Sequence, residues 1–157
     1  MSINTQPTLA PLDRQKLSAP VRALIDFFEH ITPETVADLP KFYAADAYFK
    51  DPFNEVHRAV DIQRIFGEMF HQVDKPRFVV HTAFEQDQQV FLGWHFLFEM
   101  KRFKVGQTQV CRGSSHLVLN QSGQVQSHRD YWDAAEELYE KIPVLGGLMR
   151  WLKKQAG

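Results

Sequence analysis

The chain has 157 residues, with 18 Lys and Arg against 19 Asp and Glu, a net charge of -1 and a pI near 6.6. That is one ordinary domain with a core of its own, and too little charge to draw nucleic acid to it as a whole. A hydrophobic share of 44% that includes 13 Phe and 3 Trp is a heavy aromatic load, and aromatic side chains line small-molecule pockets. The single Cys111 excludes an internal disulfide and a thiolate zinc cluster, and it suits a reducing cytoplasm.

Residues 1–18 carry prolines and polar residues without a signal-like apolar run, so the expectation is a flexible N-terminal tail, a single domain over 19–157 and a cytoplasmic protein. No stretch is long enough to span a membrane. Ser18-Ala19-Pro20 places a capping residue and a helix-starting proline ahead of Val21, Leu24, Ile25, Phe28 and Ile31, which recur at helical spacing. Thr32-Pro33-Glu34 opens a second, shorter helix through Val36, Leu39, Phe42 and Tyr43. The run Asp46-Ala47-Tyr48-Phe49-Lys50-Asp51-Pro52-Phe53 reads as a strand that Pro52 ends at Asp51. Two readings of Asp51 stand on these residues: a carboxylate desolvated between Phe49 and Phe53 and suited to abstract a proton, or a turn cap.

Val60, Ile62, Ile65, Phe66, Met69, Phe70 and Val73 form the apolar face of a third helix, which Pro76 blocks. From Arg77 the period changes to two, and four strands are expected over 77–85, 90–103, 108–120 and 124–133. Three helices followed by a long meander predict an α+β fold, with the helices packed on a strongly curved antiparallel sheet that encloses a cavity. A C-terminal helical tail begins at Ala134 to Tyr139, is interrupted by Pro143 and Gly146-Gly147, and resumes over 148–154. Leu145, Leu148, Met149, Trp151 and Leu152 make that tail apolar, beside Arg150, Lys153 and Lys154. Its expected place is against protein, over the cavity or between two copies, since two helical turns are too few to hold a bilayer.

The order of elements, the run Phe42-Tyr43-Ala44-Ala45-Asp46-Ala47 leading into Lys50-Asp51-Pro52, and the Gly123-Gln124-Val125 turn resemble the NTF2-like superfamily, in its SnoaL-like branch. The resemblance implies a cone-shaped α+β barrel, a homodimer, and a pocket used by isomerases, dehydratases, hydrolases, polyketide cyclases and pure binding proteins. It also matches Asp51 to the general base of the ketosteroid isomerases, a family whose Asp base faces an oxyanion hole made of a Tyr and a protonated Asp. Those two donor positions fall at Phe27 and Ser115, so that hole is missing, and losing one preorganised donor typically costs about 10²–10³ in rate.

The last strand carries His128-Arg129-Asp130-Tyr131-Trp132-Asp133. In a strand, His128, Asp130 and Trp132 share one face, and matching the isomerases turns that face to the pocket. His128 and Asp130 then join Asp51 as catalytic candidates around one apolar cavity, whereas a match to the polyketide cyclases favours Asp133 as the acid. Phe27, Phe49, Phe53, Phe66, Ser115 and Trp132 are the expected pocket lining. The alternation of Trp94, Phe96 and Phe98 reads as core packing. The remaining histidines form no ligand set, so neither a metal nor another cofactor is expected. Two functions stay open: a cofactor-free acid/base enzyme acting on a hydrophobic small molecule, and a binding protein for a lipophilic ligand.

Overall fold

The computed structural model describes residues 10–102, 104–142, 146–148 and 154–155. Val21, Leu24, Ile25 and Phe28 recur every three or four residues, and they are the buried stripe of helix α1 (Ala19–Glu29), with Pro20 in its first turn. A second amphipathic helix, α2 (Ala59–Gln72), buries Ala59, Ile62 and Phe66. The strands are β1 (Tyr43–Lys50), the short β2 (Glu55–Val56), β3 (Val73–Gln86), β4 (Gln89–Met100), β5 (Thr108–Leu119) and β6 (Val125–Tyr131). They form one open, curved six-stranded sheet in the order β2-β1-β6-β5-β4-β3, and both helices pack against it, so the α+β cone expected from the sequence is present.

Strands β3 to β6 are a meander of antiparallel neighbours. The sheet departs from the expected antiparallel pattern at one place: β1 lies parallel to β6, with Phe49 opposite His128 and Lys50 opposite Arg129. Along β4, Val90, Leu92, Trp94, Phe98 and Met100 are buried, and their neighbours point the other way. The β5–β6 turn is closed by Asn120, whose Oδ1 accepts from the backbone N–H groups of Ser122 and Gln124, and by Gly123 at φ 77°.

Local chemistry explains where the boundaries differ from the sequence reading. The expected second helix is a 3-10 helix over Thr35–Lys41 that contains Pro40, a residue with no N–H to donate to a regular α-helical ladder. Tyr43, expected on that helix, is instead the first residue of β1 and is 1% exposed. Strand β3 starts before Pro76 because the ladder breaks between Asp74 and Arg77, where Lys75 takes φ 50°, and proline is tolerated at such an irregularity. Packing against the fold also begins before Ala19: Asp13 caps a 3-10 turn, Leu17 is buried, and Arg14 pairs with Glu29 at 2.6 Å. Glu29 in turn accepts the Val80 N–H and ties α1 to β3. At the other end α3 (Ala134–Glu137) is short and leads into a 3-10 turn, Tyr139–Lys141. Most of the expected resumption over 148–154, and the end of the second long strand at Phe103, lie outside the described residues. No described helix is long and apolar enough to cross a membrane.

Two glycines test this geometry against each other. A Cβ at Gly123 would stand 2.8 Å from Cγ of Pro20 on α1, in a left-handed backbone, whereas a Cβ at Gly67 in α2 would meet nothing within 4 Å. Gly123→Ala should therefore lower unfolding free energy by about 1–2 kcal/mol, and Gly67→Ala should raise it by about 0.5–1 kcal/mol, as read from urea midpoints.

Candidate functional site

Strand β6 is hydrogen-bonded on both sides, so the direction of each of its side chains is set. His128 stands between Phe49 of β1 and Leu117 of β5, and Asp130 stands beside Ser115 of β5. This row faces inward, and on it a chain of hydrogen bonds forms. The Tyr43 hydroxyl and His128 Nδ1 are 2.7 Å apart, His128 Nε2 is 2.7 Å from Asp130 Oδ1, Ser115 Oγ donates to the same oxygen at 2.5 Å, and Trp94 Nε1 donates to Ser115 Oγ at 2.9 Å. His128 is 4% exposed and is boxed by the rings of Phe28, Phe49, Phe66 and Tyr43.

The bonding pattern assigns the protons. Burial, and then the charge of Asp130, push the Tyr43 phenol well above its ordinary range, so it keeps its proton. Nδ1 of His128 is the one acceptor within reach of that proton among the described residues, so Nδ1 is bare and Nε2 carries the hydrogen given to Asp130. His128 is thus a neutral imidazole held between a phenol and a carboxylate. Asp130 Oδ1 takes two donors, while Oδ2 has no hydrogen bond from the described residues and remains accessible.

Asp130 lines an outer and an inner space, which also share Phe66, Phe78 and Trp94 as walls. The outer cavity, about 240 Å³, is lined by eight aromatic side chains, among them Phe49, Phe66, Phe78, Trp94, Phe96 and Trp132. The inner one, about 30 Å³, is the narrow end of the cone, against Ile25 and Phe28 of α1 and beside Ser115 and His128. Trp94 reaches its place because its cross-strand partner is Gly113, where any Cβ would overlap the indole ring. At the mouth Phe53 packs edge-on against Trp132 and Tyr139, with ring centroids 5.5 and 6.1 Å away. Helix α3 closes one side: its buried Glu137 is held by Arg112 at 2.7 Å and Lys141 at 3.3 Å, and Lys141 also donates to the Val110 carbonyl.

The expected site residues divide as follows. Asp51, Phe49, Phe53, Phe66, Asp130 and Trp132 line the outer cavity, and Ser115 and His128 the inner one. Phe27 lines neither: it stacks on Phe42 at 4.6 Å, because its position on α1 turns it away from the stripe that carries Phe28. Asp51 lies at the mouth, where its Oδ1 accepts from the N–H groups of Phe53 and Asn54 and from the Asn54 amide, which also reaches Oδ2. That is the turn-capping role, and the Phe53 beside it is 53% exposed. Asp133 caps α3 through the N–H groups of Ala135 and Glu136, so it is not turned to the cavity chemistry that the cyclase alignment suggests.

The sequence reading did not find Tyr43, Trp94, Cys111 or Glu137. The Gly113 opposite Trp94 is the signal for Trp94; Glu137 leaves none. Among the described residues, no group of three or more His, Cys, Asp or Glu is placed to hold a metal ion.

Cys111, on the cavity wall, is pushed up to about 12, chiefly by burial and then by the charge of Glu137. A thiol with a raised folded pKa holds its proton better folded than unfolded, so stability is level below the ordinary thiol value of 9.0 and falls as pH climbs from there toward about 12. Cys111→Ala should make that alkaline decline shallower in urea titrations, and an unchanged slope would contradict the assignment.

Comparison with solved structures gives fold neighbours at low identity. A protein of ketosteroid isomerase-like fold from Catenulispora acidiphila, in complex with trimethylamine, is 13% identical with a TM-score of 0.66, over 78% of this chain and 91% of that chain. A protein from Shewanella putrefaciens named for the SnoaL-like polyketide cyclases is 18% identical with a TM-score of 0.63, over 80% of this chain and 97% of that one. An LEH-like epoxide hydrolase of M. tuberculosis is 12% identical with a TM-score of 0.61, over 82% and 91%. No curated protein matches the sequence. The family model for the SnoaL-like domain matches residues 24–128, from the first helix to His128 at the cavity floor, and the chain belongs to the SnoaL-like family.

Proposed function

We propose that the protein is a cofactor-free acid/base enzyme, an isomerase, dehydratase or cyclase, that acts on a small hydrophobic molecule in the outer cavity with Asp130 as the proton acceptor. One observation carries this reading: a carboxylate on the lining of an aromatic cavity, with one oxygen fixed by two donors and the other without a hydrogen bond from the described residues. A general base needs a free lone pair, and Oδ2 has one, since no described residue donates to it. The His128 N–H and the Ser115 O–H hold Oδ1, so the carboxylate is oriented before substrate arrives and does not reorganise when it takes a proton. The same group, once protonated, returns the proton at another atom, which is what isomerisation or elimination requires. Asp51, the base suggested by family resemblance, keeps a place in the proposal at the cavity mouth, with most of its accepting capacity spent on its own turn.

A cavity of about 240 Å³ lies just below the range of about 300–1,000 Å³ that holds drug-sized ligands, which supports a compact substrate. The homodimer belongs to the proposal too, supported by Phe91, Val110 and Tyr131, large side chains exposed on the sheet face away from the cavity. Neither nucleic acid nor a membrane has a part in it, and the cytoplasmic location rests on the lone cysteine. A second reading, a binding protein that keeps the cone without chemistry, is favoured by the spent donors: Trp94 Nε1 is used by Ser115, and the Cys111 thiol is no nucleophile in its protonated state.

The test is proton exchange into a panel of small enolisable ketones in deuterated water, followed by NMR. Asp130→Asn should slow protein-dependent exchange by about 10²–10⁴, and Asp51→Asn by less than about tenfold. The reverse order would move the base to Asp51, and equal rates in both variants and the parent would favour the binding reading.

A further inference from the structure

The charge balance of the outer cavity is one-sided. No Lys, Arg or His is among the described residues that line it, whereas Asp51, Glu68, Asp130 and Glu137 are. Three of these carboxylates are already answered: Glu137 by Arg112 and Lys141, Glu68 by Arg64 at 3.1 Å, and Asp51 by its turn. Asp130 is not. Its partners are an imidazole whose Nδ1 is bare and a hydroxyl, both without charge, and its Oδ2 has no hydrogen bond from the described residues. A carboxylate taken from water needs an opposite charge or further donors, and the described residues that line the cavity bring no cation to it. The walls around it are ring faces and edges, with Phe78 edge-on to Trp94 and stacked on Phe96, and Phe96 stacked on Phe98. Aromatic faces carry negative potential and attract organic cations.

We propose that the outer cavity takes a small organic cation, a protonated or quaternary amine with apolar substituents, whose charge is met by Asp130 Oδ2 and whose substituents lie on the aromatic walls. This names the ligand class of the site proposed above and rests on the reading that this cavity is the working site. The amine supplies the charge that the chain withholds, and its apolar groups fill space that a hydrated metal ion would not. A neutral ligand of the same shape would leave the carboxylate unanswered, so selectivity for the cation over its isostere is the signature.

Choline and its uncharged carbon isostere 3,3-dimethylbutanol are the probes, titrated into the full chain by calorimetry and by the fluorescence of Trp94 and Trp132. Choline should bind at least about tenfold more tightly than the isostere. In Asp130→Asn the ratio should fall to about one, with the affinity for the isostere retained. Equal or tighter binding of the isostere by the parent chain, no binding of either at tens of millimolar, or a preference that survives in Asp130→Asn would each overturn the proposal. Should Asp130→Asn fail to fold, the ratio in the parent chain decides alone. Neither probe depends on turnover. Failure here therefore leaves the proton-exchange result standing, and loss of exchange with the choline preference intact would leave a cation site without catalysis.

Discussion

The constraint on which the rest depends is the pairing of β6 with a neighbour on each side, parallel to β1 and antiparallel to β5. A strand at a sheet edge can slip by one residue and turn every side chain over; a strand held by two ladders cannot do so without breaking both. That lock puts His128 and Asp130 on the inner face and Arg129 on the outer one, where it lies over the Tyr131 ring at 5.0 Å. It also sets Phe49 against His128 and Ser115 against Asp130. Because β1 is the strand that carries Tyr43, the same pairing brings the phenol to the imidazole across 85 residues of sequence.

Buried polar groups cost free energy unless their donors and acceptors are met, and here every donor of the chain has an acceptor while Asp130 Oδ2 is left over. The phenol gives to Nδ1, Nε2 gives to the carboxylate, the serine hydroxyl gives to the carboxylate and the indole gives to the serine. A chain of this kind holds one arrangement of protons and rejects others: an imidazolium at His128 would leave the Tyr43 hydroxyl hydrogen with no acceptor among the described residues. The neutrality of the ring therefore follows from packing, and it is what leaves Asp130 charged without a charged partner. Stability and the two proposals meet in that carboxylate, since a buried carboxylate without a charged partner costs folding free energy and is the group that the proposed base and the proposed cation site share.

Much of the fold was legible because periodicity reports which face is buried. Val21, Leu24, Ile25 and Phe28 gave α1, Ile62 and Phe66 gave α2, and the alternation from Arg77 onward gave the meander. What periodicity does not carry is pairing between distant strands, so the parallel contact of β1 with β6 went unseen, and with it the role of Tyr43. Short elements failed for a local reason: spacing from Val36 to Tyr43 suits a helix, but Pro40 and the start of β1 divide it. Parity put His128, Asp130 and Trp132 on the face that lines the cavities, and it is silent where a role depends on hydrogen-bond geometry. Asp51 illustrates this: Asp before Pro at the end of a strand is equally a base or a turn cap in sequence, and Asn54 three residues on is what engages it.

The central claim is that His128 is a neutral ring, protonated on Nε2, beside an ionised Asp130. Nitrogen-15 NMR of the full chain labelled at histidine tests it most directly, near neutral pH and without ligand. The account predicts one His128 nitrogen with the shift of a bare imidazole nitrogen at Nδ1 and one with that of a protonated nitrogen at Nε2, with Tyr43→Phe removing the hydrogen-bond shift at Nδ1. Two protonated nitrogens would show an imidazolium that neutralises Asp130, and would contradict both the proton assignment and the unanswered charge drawn from it.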